Sequence, residues 1–293
     1  MKRILLILSL SLLTIGHTAL AKIKVAASLP DLASIASYIG GDRVETFSIA
    51  RNTSDPHSVE VLPTYMVKVS RADVYLKVGL ALDQWADQII DGARNSAIRV
   101  VDCSSGIAVL EKPSGKVDAS MGDVHPDGNP HYWLDPNNGA IVAQTISDAL
   151  TAADPGGATE YAANLDKFKS DLAQRLTAWK AAAAAIPNRN IITYHSSWPY
   201  FAHAFDFTIV AHIEPVPGIP PTGSHLAELL NVIHENNVKI VLQEPYFAED
   251  AANYLARQTP VKVLKLPPSC GGTDAGSYLD HFQQIFDALK AVS

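Results

Sequence analysis

The stretch that decides the fold is ATEYAANLDKFKSDLAQRLTAWKAAAAAI, residues 158–186, opened by Asp154-Pro155-Gly156-Gly157 and closed by Pro187. Leu165, Phe168, Leu172, Leu176 and Trp179 recur at three- and four-residue spacing, with Lys, Asp, Gln and Arg between them. That is the period of one amphipathic helix, and the alanine run 181–185 extends it with strong helix formers. At 1.5 Å per residue, 29 residues span about 43 Å, longer than a small lobe is wide. A flexible linker would be rich in glycine and serine; this one is a rigid spacer, and it divides the chain into two halves.

Working outward, both halves alternate short β-branched runs with helical patterns. The first predicts strands over 23–27, 44–49, 74–78 and 98–101, with helices around 32–39, 65–70, 82–93 and 141–152. The second predicts strands over 191–194, 208–212, 238–242 and 261–266, with helices near 198–205, 226–235, 248–257 and 278–291. Repeated strand-then-helix order gives an α/β fold with mostly parallel sheets. The expected architecture is two four-stranded parallel-sheet lobes, residues 22–155 and 188–293, joined by one long rigid helix over 156–187.

The N-terminus carries Met1-Lys2-Arg3, an apolar run from Ile4 to Ile15, then Ala19-Leu20-Ala21. A basic start, a short apolar core and a small-x-small end read as a secretory signal peptide over 1–21. Removing it takes Lys2 and Arg3 from 23 basic residues against 30 acidic ones, deepening the net charge from −7 to −9. Lys22, not Cys, follows the cut, which offers no site for a bacterial lipid anchor. The expected destination is the periplasm. An acidic chain lacks the basic footprint that nucleic acid or an anionic membrane requires. Cys103 and Cys270 can pair in such a compartment or stay as two buried free thiols, and the sequence leaves both open.

Ten histidines narrow to three. His57 sits in Asp55-Pro56-His57-Ser58, and His131 in Asn129-Pro130-His131-Tyr132-Trp133-Leu134-Asp135-Pro136. His195 directly follows the strand ending at Tyr194. All three fall at carboxyl ends of strands or in strand-to-helix loops, where open α/β sheets form their ligand crevice. Imidazoles converging there suit Zn²⁺. Asp274, in a glycine-rich loop, is the favoured carboxylate to complete the shell, with Glu214 next and Glu244 behind it. His203, His225, His234 and His281 read as helix residues without a ligand-like context.

At these segments the sequence resembles the periplasmic metal-binding proteins of ABC importers for zinc and manganese, the cluster A-I solute-binding family. The segments that carry the likeness are Asp55-Pro56-His57, Asn129 to Pro136 and Tyr194-His195-Ser196-Ser197-Trp198-Pro199-Tyr200-Phe201. The order of lobe, long helix and lobe extends it over nearly all of 22–293. The resemblance implies His57, His131 and His195 as ligands, a second-lobe carboxylate in fourth place, and a membrane permease as partner of a monomeric carrier. His195 tilts it toward zinc, although Glu214 stands where manganese-type members carry a carboxylate. The family's Gly-Asp-Ser-Tyr pattern is replaced by Ala275-Gly276-Ser277-Tyr278, displacing the acid to Asp274. The long His- and Asp-rich loop of many zinc-type members is short here, and His125-Pro126-Asp127-Gly128 reads as a structured turn rather than an ion collector.

Two other classes compete with this one. His57-Ser58-Val59-Glu60 has the His-x-x-Glu spacing of some zinc hydrolases, but a catalytic zinc needs an open position for water and a general base. No His-Glu-x-x-His, nucleophile elbow or phosphate-binding loop occurs. A surface adhesin is the other rival, and without an anchor or wall-sorting tail a freely diffusing carrier is the simpler reading.

Overall fold

The computed structural model describes residues 21–118 and 121–292; the signal-peptide reading of 1–21 therefore falls almost wholly outside the described residues. Strands β1 (Ile23–Ala27), β2 (Val44–Ser48), β3 (Val74–Lys77) and β4 (Arg99–Asp102) alternate with helices α1 (Pro30–Gly40), α2 (Pro63–Val69) and α3 (Trp85–Ala93), and α4 (Pro136–Ala153) follows. Helix α5 (Ala158–Ala184) leads to β5 (Asn190–Thr193), α6 (Pro199–Phe205), β6 (Thr208–His212), α7 (Gly223–Glu235), β7 (Ile240–Gln243), α8 (Asp250–Gln258), β8 (Lys262–Lys265) and α9 (Ser277–Lys290). The α/β expectation thus holds element by element, with boundaries shifted by a few residues.

Each half forms one parallel sheet, β2-β1-β3-β4 and β6-β5-β7-β8. The two orders are the same, so each sheet has a point where strand order reverses and loops diverge. Parallel sheets are covered on both faces, and the central strands accordingly bury Val25, Ala26, Val74, Tyr75, Ile191, Ile192, Val241 and Leu242.

Helix α5 buries Tyr161, Leu165, Phe168, Leu172, Trp179 and Ala183 along one stripe. That stripe packs on α1 and α4 of the first lobe and on α6 and α9 of the second. Polar contacts fix its position: Asn164 donates to the Ile39 carbonyl at 2.9 Å, Arg175 to Asp280 at 2.7 Å, and Trp179 Nε1 to Gln283 at 3.2 Å. After β8 the chain returns to the first lobe. Trp133 Nε1 donates to the Pro268 carbonyl at 2.7 Å, Cys270 N–H to Asp31 at 3.1 Å, and Tyr278 Oη to the Trp133 carbonyl at 2.8 Å. Helix and return segment together tie the lobes.

Cys103 and Cys270 are both buried and free. Of the two readings open in the sequence, the structure has the unpaired thiols; burial pushes both thiols' pKa up. Among the described residues no helix is long and apolar enough to cross a membrane.

Candidate metal centre

The first-lobe histidines are built by one local device used twice. In Asp55-Pro56-His57 the proline has no N–H, and the Asp55 side chain turns back on the residue beyond it, as an Asx turn does. Asp55 Oδ1 accepts from the backbone N–H of His57 at 2.9 Å and from its ring Nδ1 at 2.9 Å. In Asn129-Pro130-His131, Asn129 Oδ1 accepts from the His131 N–H at 3.0 Å and from its Nδ1 at 3.0 Å. The asparagine is oriented by its own amide, which donates to Glu111 at 2.9 Å and to the Ser196 carbonyl at 2.8 Å. Trp85 Nε1 donates to the Pro56 carbonyl at 2.9 Å, seating the first turn on α3.

His195 is held differently. It leaves the end of β5, where strand order reverses in the second sheet, and its Nδ1 meets Glu214 Oε2 at 2.7 Å. Glu214 arrives there because β6 lies beside β5: Glu214 N–H donates to the Tyr194 carbonyl at 3.0 Å. Its Oε2 also accepts from the Gly218 N–H at 3.1 Å.

All three partners accept hydrogen bonds at these atoms, so each neutral ring carries its proton on Nδ1 and leaves the Nε2 lone pair free. The Nε2 atoms of His57 and His131 are buried without any partner. His57, His131 and His195 place one nitrogen each within 4.8 Å of one another, and their ring centroids lie 5.1, 5.1 and 5.6 Å apart. Tetrahedral zinc with Zn–N bonds of about 2.0–2.1 Å sets its nitrogens about 3.3 Å apart, so small rotations close the site. Unpartnered buried nitrogens facing a common point cost free energy unless something occupies that point.

The electrostatics of the buried rings differ. Burial, followed by the charges of His57, His195 and His125, holds His131 well below the ordinary imidazole pKa. Burial also acts to lower His195, but the Glu214 hydrogen bond and the charges of Glu244, Glu214 and Asp55 outweigh it, and its pKa is raised. Burial raises Glu244, whose Oε1 accepts from Trp198 Nε1 at 3.1 Å, to about 7.

Among the described residues no carboxylate lies within the group of three converging nitrogens. Asp274 is exposed and stands outside the group of converging nitrogens. Its loop is bound along α1: Ser34 Oγ donates to the Asp274 carbonyl at 2.6 Å and Ser37 Oγ to the Thr273 carbonyl at 2.7 Å. Glu214 is present at the centre, but as the partner of His195 Nδ1 rather than a free donor to a metal. Glu244 is engaged with Trp198. His125, read in sequence as part of a structured turn rather than an ion collector, places its ring centroid 5.3 Å from that of His57. It does sit in the turn expected for it, with Gly128 N–H donating to its carbonyl at 3.1 Å. His281 is buried, while His203 is exposed and His225 donates from Nε2 to the His212 carbonyl at 3.0 Å.

Comparison with known proteins follows the same lines. Residues 25–292 match the family described as ZnuA, zinc-uptake complex component A, periplasmic. The chain is 26% identical over 275 residues to the high-affinity zinc uptake system protein ZnuA of Haemophilus ducreyi, covering 88% of this chain and 89% of that one. It is 28% identical over 281 residues to the manganese-binding lipoprotein MntA of Halalkalibacterium halodurans, covering 91% and 87%. A crystal structure of ZnuA superposes with a TM-score of 0.78 at 28% identity, covering 91% of this chain and 99% of that one.

Proposed function

The chain belongs to the family of ZnuA, zinc-uptake complex component A, periplasmic, and we propose that it captures Zn²⁺ between its lobes and delivers it to the permease of an ABC importer. The family consists of solute-binding components of metal transporters and not of enzymes. The carrying observation is the convergence of the Nε2 lone pairs of His57, His131 and His195, each ring oriented through Nδ1 by Asp55, Asn129 or Glu214. Three imidazoles make a nitrogen site of borderline softness, which suits zinc, whereas Mn²⁺ is better served by carboxylate, carbonyl and water oxygens. A manganese or iron carrier of the same transporter type is the second reading, favoured by the likeness to a manganese-binding relative.

On this reading the neutral imidazoles replace waters on the incoming ion. Oriented partners on each Nδ1 raise the basicity of the opposite nitrogen and fix its direction. Glu111 and Asp123 line a pocket of about 60 Å³ beside His195 and attract a cation by their charge. Export through a leader over 1–21, residence in the periplasm as a monomer, and docking on a permease complete the proposal. Metal titration of residues 22–293 tests it: one tight equivalent of zinc is expected, with weaker manganese binding. His57→Ala, His131→Ala and His195→Ala should each weaken zinc at least about tenfold. A chain that takes up no zinc refutes the proposal, and a variant with unchanged affinity removes that ligand.

A further inference from the structure

Three observations single out His125. Its Nε2 is buried without a partner, as are those of His57 and His131. Its ring lies 5.3 Å from the His57 ring, tilted by 31°, and it walls the pocket that contains His195, Glu111, Asp123 and Asn129. The Ala81 carbonyl is its hydrogen-bond acceptor. His125 therefore repeats the arrangement of the three histidines above: an oxygen accepts a hydrogen bond from one ring nitrogen, and the other nitrogen is left bare.

Ala81 reaches that position through an unusual backbone. Gly79, Leu80 and Ala81 have φ of 81°, 50° and 62°, and left-handed non-glycine residues cost about 1–3 kcal/mol each. The turn follows β3, where strand order reverses in the first sheet, and buried Asp83 holds it by accepting from Val78 N–H at 2.7 Å and Gly79 N–H at 3.1 Å. Strain of this kind persists where surroundings over-determine it, and it gathers at functional sites.

The segment carrying His125 is also strapped to the second lobe. Asp123 N–H donates to the Pro217 carbonyl at 2.9 Å. At Gly122, with φ of 67°, a Cβ would stand 2.0 Å from the Pro217 oxygen; at Gly218, with φ of 76°, one would stand 2.3 Å from Asp123 Oδ2. Only glycines allow the two segments to touch in this way. Gly218 in turn donates to Glu214, the partner of His195. Strap and third ligand are thus anchored on the same short loop.

We infer that His125 is the fourth metal ligand, its Nε2 completing a shell of four nitrogens as the strap around it draws inward over the bound ion. The inference rests on the three-histidine site of the proposed function. His125 stands outside the set of nitrogens lying within 4.8 Å of one another, so ligation requires that movement. An all-imidazole shell strengthens the preference for zinc over manganese, since it replaces the oxygen that a carboxylate or water would supply.

The test uses residues 22–293 with the variants His125→Ala and His125→Gln, loaded with one equivalent of Zn²⁺ for X-ray absorption or of Co²⁺ for visible absorption. The unsubstituted protein should show four imidazoles on zinc. Each variant should show three imidazoles plus an oxygen, altered cobalt bands, and zinc affinity lower by about tenfold or more, with manganese affinity changed less. Unfolding of the metal-free variants checks that they fold. Three imidazoles in the unsubstituted protein, or an unchanged count in the variants, overturns the assignment even if affinity falls, since the strap would then act only as a cover. Loss of all metal binding by the unsubstituted protein would instead refute the three-histidine site itself.

Discussion

Replacing Glu214 by glutamine tests the site through its most connected partner. Glu214 Oε2 stands 2.7 Å from His195 Nδ1 and 3.1 Å from Gly218 N, and both it and His195 are buried. Glutamine keeps an oxygen acceptor and the volume but removes the charge. Two opposed consequences follow. The neutral partner makes the His195 Nε2 a poorer donor to the metal, and loss of such a partner costs about 10–100-fold in affinity, or about 1.4–2.7 kcal/mol. Glu214 is also one reason that His195 keeps a raised pKa despite burial, so the variant's imidazole protonates at lower pH. Protons compete with the metal for Nε2, and below a ligand's pKa the apparent affinity falls by about tenfold per pH unit. In the unsubstituted protein that loss begins above the ordinary 6.5, because the His195 pKa is raised; in the variant it begins lower. Zinc competition titrations should therefore show a large deficit near about pH 7.5 that narrows toward about pH 5.5. An unchanged affinity at the higher pH refutes the orienting role. A deficit that stays constant across the range refutes the electrostatic account and leaves a purely steric one.

Two further outcomes follow from the same geometry. Asp274→Asn should leave zinc affinity within about twofold of the unsubstituted protein, since exposed carboxylates away from the ion interact weakly with it; a drop beyond about tenfold would restore Asp274 as a ligand. His281, buried with its pKa lowered to about 4 by burial, binds its proton in the unfolded chain before it does so in the fold. Its contribution is fully present above about pH 6.5 and is lost as pH falls toward about 4, by about 3 kcal/mol in all. His281→Leu should remove that part of the acid dependence in denaturant unfolding of the metal-free protein, and an unaltered pH slope would count against it.

How legible the site was depends on how local its parts are. Asp55-Pro56-His57 and Asn129-Pro130-His131 could be read from sequence because each turn contains its own orienting oxygen, two residues before the histidine. Helix α5 was legible because its buried stripe keeps helical spacing over the whole element. Glu214 was found as an alternative ligand, but its pairing with His195 Nδ1 was not, since that depends on β6 lying beside β5, a pairing that no local pattern specifies. Asp274 was favoured because glycines around it suggested a loop free to fold over the cleft, a placement that the sequence alone does not specify. Ser34 and Ser37, about 240 positions earlier, bind that loop's carbonyls instead. His125 reads as a turn in sequence and is one; only the placement of Ala81 and of the second-lobe loop turns it toward His57.

The same contacts decide how the protein can open. A hinge motion between the lobes would have to break the Trp133–Pro268, Cys270–Asp31 and Tyr278–Trp133 hydrogen bonds, all buried. Leaving their donors and acceptors unmet costs about 1–3 kcal/mol apiece. It would also part the stripe of α5 from α1 and α4 or from α6 and α9, exposing aromatic surface of Phe168 and Trp179 worth about 1.5–3 kcal/mol per side chain. Against this, the contact between Asp123 and Pro217 is a single backbone hydrogen bond at the rim of the cleft, worth about 0.5–1.5 kcal/mol net. The cheaper route for an ion to enter or leave is movement of the segment around His125, with the two sheets held still. With the nitrogens of His57, His131 and His195 fixed by oriented partners, the site loses little by that arrangement, because the geometry that selects the metal does not have to be rebuilt each time the cleft opens.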